Sequence, residues 1–316
     1  MMISAIAWCA GSVIFFLLIS AYLPFIGPLF SLLIPLPFLY YTRKLGLSQG
    51  WRIGFISVFI VSLLARLIGS THLILLCLEL GIVGLIISEL FERELTFGLT
   101  IFWGTVLMLF ISAVFLLFIG FSQGMSPIEL ILDYFQSNLD NSITLYEGMD
   151  LDQEKMLQVK ELGRVLNYII AEIYPALLII GAGVVIWINV VMSKPLFLLK
   201  GIKYPDLGRT DRWHAPEYMV WGVIAAGFSL FFPISGIRFV ALNTLIVLLV
   251  IYFFHGLAIV MFFFNRYNIP IWVRLGVYFL LMVQQIFMLV LALGGLFDQW
   301  IDFRKIHNKG SASVES

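Results

Sequence analysis

Residues 121–164 read FSQGMSPIELILDYFQSNLDNSITLYEGMDLDQEKMLQVKELGR, and their composition differs from that of everything on either side. The carboxylates Glu129, Asp133, Asp140, Glu147, Asp150, Asp152, Glu154 and Glu161 stand against only Lys155, Lys160 and Arg164, whereas the flanks are long apolar runs with charges in short clusters. This is the one large water-exposed segment. Basic residues are retained on the cytoplasmic side of a membrane, so a long connection poor in Lys and Arg belongs outside. That placement orients every other span.

The membrane itself follows from composition. Of 316 residues, 61% are hydrophobic and only 12% charged, with a mean hydropathy of +1.02; soluble chains carry about 25% charged residues. The fold class is all-α, a polytopic transmembrane helical bundle with membrane lipid as its first partner. With 19 basic and 19 acidic residues, the charge balance says nothing about nucleic acid, and no nucleic-acid partner is expected. Cys9 and Cys77 fall inside apolar runs and read as small buried hydrophobes. The first run has no preceding Lys or Arg and no small-residue cleavage site, so it reads as a retained helix.

A helical span needs about 20 mainly apolar residues. On that measure nine runs qualify, roughly 3–22, 25–41, 52–70, 72–91, 97–121, 165–192, 217–234, 238–264 and 271–297. The second carries Pro28, Pro35 and Pro37, which lipid tolerates only where neighbouring protein satisfies the freed backbone groups, so it belongs inside the bundle. Residues 1–192 form a first block of six spans, with the acidic insertion at about 122–164. A basic loop, 193–216, leads to a three-span block, 217–297, and a polar tail, 298–316. Working from the acidic segment, Arg43, Lys44 and Arg52, then Lys194, Lys200, Lys203, Arg209 and Arg212, then Arg266 and Arg274 fall inside, with the N-terminus. If all nine runs cross, however, Arg304, Lys305 and Lys309 of the tail are left outside. A count of eight removes that conflict.

Within the insertion, Ile128, Ile131, Leu132 and Phe135 recur at helical spacing, an amphipathic pattern suited to a membrane surface. A second helix is expected from near Leu151 into the sixth span.

Ionisable groups inside spans are expensive and mark functional hypotheses. Arg66, Glu79, Glu172 and Asn243 all come to the outer half of their spans, and together they suggest a ligand cavity open to the outside. The plainer reading is that Arg66 pairs with Glu79 or Glu172 to neutralise both. His255 has no second His or Cys at ligand spacing, so no metal or other cofactor is expected. Ala7 and Gly11, one turn apart on the first span, could let a partner helix approach closely. No phosphate-binding G-x-x-x-x-G-K-[ST] and no H-E-x-x-H occurs, and the Ser235-Gly236 pair lacks the leading glycine of an intramembrane serine protease. The chain reads as a non-enzyme.

The strings Trp213-His-Ala-Pro-Glu217, Leu242-Asn243 leading to Tyr252-Phe-Phe-His-Gly-Leu-Ala-Ile259, and Gly295-Leu-Phe-Asp298 with Trp300 and Asp302-Phe-Arg-Lys305 resemble the YybS-like family of bacterial multi-pass membrane proteins, a family defined by sequence and not by activity. Pro35-Leu-Pro37 before a basic loop fits as well. The resemblance implies the bacterial cytoplasmic membrane, and a distant likeness to the substrate-binding S-components of energy-coupling-factor vitamin transporters and to the rod-shape protein MreD. S-components dock through small residues of their first helix on a coupling subunit that carries two ATPases, which would cast Ala7 and Gly11 in that role. The expectation is a small-molecule-binding transport component dependent on a separate ATPase, with Arg66, Glu79, Glu172 and Asn243 lining its site. The alternative is a non-transporting scaffold of MreD type that organises envelope proteins. The three extra spans and the acidic insertion depart from the S-component pattern.

Overall fold

The computed structural model describes residues 2–23, 27–67, 72–147 and 152–305, and among them every regular element is helical. In chain order these are α1 (Met2–Tyr22), α2 (Gly27–Ser31), α3 (Pro35–Leu45), α4 (Leu47–Leu67), α5 (His72–Glu92), α6 (Phe97–Gln123), α7 (Pro127–Glu147), α8 (Gln153–Leu199), a 3-10 turn (Thr210–Arg212), α9 (Met219–Ser229), α10 (Ser235–Arg266), α11 (Ile271–Val283) and α12 (Gln285–Ile301). Six of them, α1, α4, α5, α6, α8 and α10, are each long and apolar enough to cross a membrane. The other three apolar runs are helical but interrupted or short. Proline breaks the second into α2 and α3, α9 stops before Pro233, and the last run breaks at Gln284, whose backbone is extended.

The chain divides into two compact units, residues 1–130 with 181–208, and residues 131–180 with 209–316. The boundaries fall within α7, within α8 and inside the basic loop, between Gly208 and Arg209. In the first unit a core of Val13, Ile34, Phe38, Leu39, Ile53, Ile87 and Ile186 is closed to solvent. Pro35, Pro37, Phe38, Leu39 and Thr42 of α3 are buried, so the proline-rich run does lie inside its bundle. The turn between α2 and α3 leaves carbonyls without helical donors. Asn189 of α8 donates to one of them, Leu32, at 2.7 Å, the kind of substitution lipid demands.

In the second unit, α7 and the start of α8 form a helical hairpin, with Ile143 against Gly163. The acidic segment is therefore ordered helix where it is described; residues 148–151, including Leu151, lie outside the described residues. Ser126 and Glu129 cap α7 reciprocally: the Ser126 N–H donates to the Glu129 carboxylate at 2.7 Å, and the Glu129 N–H to the Ser126 hydroxyl at 3.2 Å. Those backbone and hydroxyl donors hold the Glu129 carboxyl below its ordinary range. Along α10, α9 packs on one stretch, with Gly222 against Leu248, and α12 on another. At the second contact Gly256 faces the backbone of Leu291, and Gly295 faces the backbone of Tyr252 and Gly256, too closely for any side chain.

Candidate functional site in the second unit

The close passage of α10 and α12 brings together residues far apart in the chain. His255 adjoins Gly256, and Asp298 follows Gly295 by one helical turn. His255 Nε2 and Asp298 Oδ2 stand 3.1 Å apart, and both side chains are buried. Asp302 then ends α12 in the left-handed region, φ 45°, which a short polar side chain tolerates. The reversal carries Arg304 back over Asp298, with Nη2 3.3 Å from Oδ2. The Phe303 N–H donates to Oδ1 at 2.8 Å. Asp298 is thus held by a ring nitrogen, a guanidinium and a backbone donor.

The end of the basic loop, residues 209–217, closes the site. Arg304 donates through Nη1 to the carbonyl of Asp211 and through Nη2 to that of Trp213, each at 3.2 Å. This places His214 with Nδ1 3.9 Å from Asp298 Oδ2 and its ring centroid 5.3 Å from that of His255. Asp211 is itself pinned: Arg209 donates to both of its oxygens, at 3.1 and 2.8 Å, and Asn265 donates at 3.1 Å. Arg274 completes the chain of bonds, donating to the Asn265 side chain at 2.7 Å and to the carbonyls of Ile269 and Phe264. Three segments, 209–217, 264–274 and 298–305, therefore meet in one polar cluster.

Beside it lies a cavity of about 1010 Å³, at the upper end for small-molecule sites. Its walls carry the cations Arg209, Arg212, Arg266, Arg304 and Lys305, the two histidines, and the carboxylates Glu217, Asp298 and Asp302. Two buried polar atoms here lack a partner among the described residues: His255 Nδ1 and Arg304 Nε. Unsatisfied buried groups in a native fold call for a bound water or ion. Electrostatics differ within the cluster. Hydrogen bonding from Arg209 holds the Asp211 carboxyl below its ordinary range. His214 is pushed down first by burial, then by the charges of Arg304 and His255, which favours the neutral imidazole.

The four residues expected around an outward cavity fall in different surroundings. In the first unit, Arg66 is exposed and makes no ion pair with Glu79 among the described residues, while Glu79 is half-buried and accepts a hydrogen bond from Ser112. In the second unit, the Asn243 amide is fully engaged by backbone. Oδ1 accepts from the Ala176 N–H at 2.9 Å, and Nδ2 donates to the carbonyls of Glu172 and Phe239 at 2.8 and 2.9 Å. Glu172 and Ala176 are i, i+4 partners on either side of Pro175, which has no N–H to give. Asn243 thus clamps α10 to α8 where proline disturbs the helix, and it meets Glu172 through the main chain. Ala7 and Gly11 both lie exposed on α1. The expectation of no metal at His255 rested on spacing along the chain, whereas the fold sets His214 and Asp298 beside it. His214, His255, Asp298 and Arg304 stand in the strings quoted for the family resemblance.

The sequence model of the family described as "Predicted membrane protein (DUF2232)" matches residues 12–299. The chain is 22% identical over 294 residues to the uncharacterized protein YybS of Bacillus subtilis (strain 168), covering 91% of this chain and 92% of that protein. No solved structure matches.

Proposed function

The chain belongs to the DUF2232 family of predicted membrane proteins, and from that footing we propose that it is a small-molecule-binding component of the bacterial cytoplasmic membrane whose ligand is an anion held in the cavity of the second unit. The observation that carries this reading is the combination of cationic walls with buried, unpartnered polar atoms on one cavity. Arginine forks recognise carboxylate and phosphate groups well. Arg212 is exposed on the rim and makes no ion pair among the described residues, so its guanidinium is available to a ligand.

In this reading the cavity faces the cytoplasm, with the N-terminus. Bonds from Arg304 hold the tail against the loop at Asp211 and Trp213, and Asn265 holds the end of α10 to the same Asp211. The chain then leaves this side through the apolar run 217–234, of which α9 is the helical part, and returns through α10, after which α11 and α12 enter and come back without crossing. The tail bases share a compartment with the basic loop, and the conflict over Arg304 and Lys305 disappears. Transport would still need energy from a separate chain. On α1, Ile3, Ala7, Gly11, Phe15 and Leu18 are exposed along one face, and a Cβ at Gly11 would meet nothing within 4 Å; there a coupling subunit carrying ATPases would dock.

The test is the thermal stability of the purified full-length chain, with chelator present, against phosphate, pyrophosphate and citrate. A bound anion at 100 times its Kd stabilises by about 2.7 kcal/mol, so at least one should raise the Tm of the wild type and raise that of Arg212→Gln much less. No shift with any of the three would remove the reading. An outward site in the first unit is the second reading, resting on the half-buried Glu79 carboxylate; Arg66→Ala and Glu79→Ala would then lower ligand binding from the outside. The MreD-like scaffold draws on the exposed carboxylates of the α7–α8 hairpin. Pull-down after gentle solubilisation separates these roles: ATPases support transport, and envelope proteins without an ATPase support scaffolding.

A further inference from the structure

We infer that His214, His255 and Asp298 form a binding site for a transition-metal dication of the zinc class, with its open coordination position turned to the cavity. The three ligating atoms all lie within 4.8 Å of one another. A tetrahedral zinc ion with bonds of about 2.0–2.1 Å holds neighbouring ligand atoms about 3.4 Å apart. His255 Nε2 and Asp298 Oδ2, at 3.1 Å, already stand near that spacing. His214 Nδ1, at 3.9 Å from the same oxygen and within 4.8 Å of the His255 nitrogen, has to close by between about 0.5 and 1.4 Å. Its side chain is half-exposed on a connection between helices, so a small rotation suffices, whereas the other two ligands are fixed by the α10–α12 contact.

The surroundings fit such an ion. Asp298 keeps its orientation through the Arg304 guanidinium and the Phe303 N–H, the outer partners that ligating carboxylates require. Two neutral imidazoles, one carboxylate and a dication leave net positive charge, and Arg304 adds to it. Three protein ligands with a free fourth position is the arrangement of zinc sites that bind a further group. An anionic group of a ligand would complete the shell, which rests on the cavity reading above; the metal site itself does not.

The test uses the full-length chain in detergent with its affinity tag removed, loaded with Zn²⁺ alone in anion-poor buffer and freed of excess metal. One zinc per chain is expected, with at least a tenfold loss of affinity in His214→Ala and in Asp298→Asn. Because His214 is exposed, its variant should keep the wild-type elution profile. Replacing zinc with Co²⁺ in His214→Cys should produce a thiolate-to-cobalt charge-transfer band, which only direct ligation yields. Equal zinc in the wild type and His214→Ala, or no such band in a folded His214→Cys, would overturn the assignment. Failure of the anion shifts, measured with chelator, would leave this result standing.

Discussion

Replacing Gly256 with alanine tests whether the α10–α12 contact builds the site. An added Cβ would lie 2.8 Å from the carbonyl carbon of Leu291, and nearer still to its oxygen, whereas ordinary contact begins at 3.4 Å. The obstruction is backbone, so the helices must separate by at least about 0.6 Å. That shift lengthens the 3.1 Å His255–Asp298 contact to about 3.7 Å, beyond hydrogen-bonding range. Overpacking costs about 1–3 kcal/mol, and a buried hydrogen bond to a charged group contributes about 1.5–3 kcal/mol. A total near 3 kcal/mol corresponds to a loss of roughly 5–10 °C in Tm. The assay is thermal unfolding of the detergent-solubilised chain followed by size-exclusion fluorescence, with zinc retention measured on the same samples. Gly294→Ala is the control, since a Cβ there would meet nothing within 4 Å. Equal Tm and equal zinc in the two variants would refute the reasoning.

Asn243→Ala removes three bonds to backbone groups. At about 0.6 kcal/mol for an average intramembrane bond and about 1.7 at most, the loss is about 2 kcal/mol. It should appear in Tm, and an unchanged Tm would assign Asn243 to a ligand instead. Asp211→Asn weakens the two bonds that the solvent-screened Arg209 guanidinium makes to this buried carboxylate. Hydrogen exchange of residues 205–217 should accelerate while that of α4 does not. The acid dependence of the same contact has a definite sign. Because the folded-state value of Asp211 is depressed, its stabilisation is fully present above the unfolded carboxylate value of about 3.9 and is lost as pH falls through the folded one. Protection of this segment should therefore hold between pH 7 and 5, and a loss already at pH 5 would contradict the assignment.

Helix content and membrane class are legible in this sequence because hydropathy acts over 20 residues at a time. The capping pair Ser126 and Glu129 and the amphipathic start of α7 are legible because they are local. Breaks are harder: nothing in the run around Gln284 signals that the helix stops there, and only the prolines near residue 35 announce an interruption. The polar cluster was hidden for another reason. His214 and His255 are separated by a whole helical hairpin, and contact between them depends on Gly256 and Gly295 permitting backbone approach. A glycine beside His255 and another one turn before Asp298 were the available signal. Asn243 invited the opposite error, since a polar residue in an apolar span suggests a cavity until the proline of the facing helix, Pro175, is considered.

The cytoplasmic placement of the loop and the tail together is the proposition on which the cavity reading stands. Single cysteines at Arg212 and Lys305, both exposed beside the cavity, measure it directly in a chain lacking the buried Cys9 and Cys77. With a membrane-impermeant maleimide, both positions should label in inverted vesicles and neither in right-side-out vesicles. Labelling of the two positions from opposite sides would mean that α11 and α12 cross the membrane, and Arg304 could not then sit on the loop.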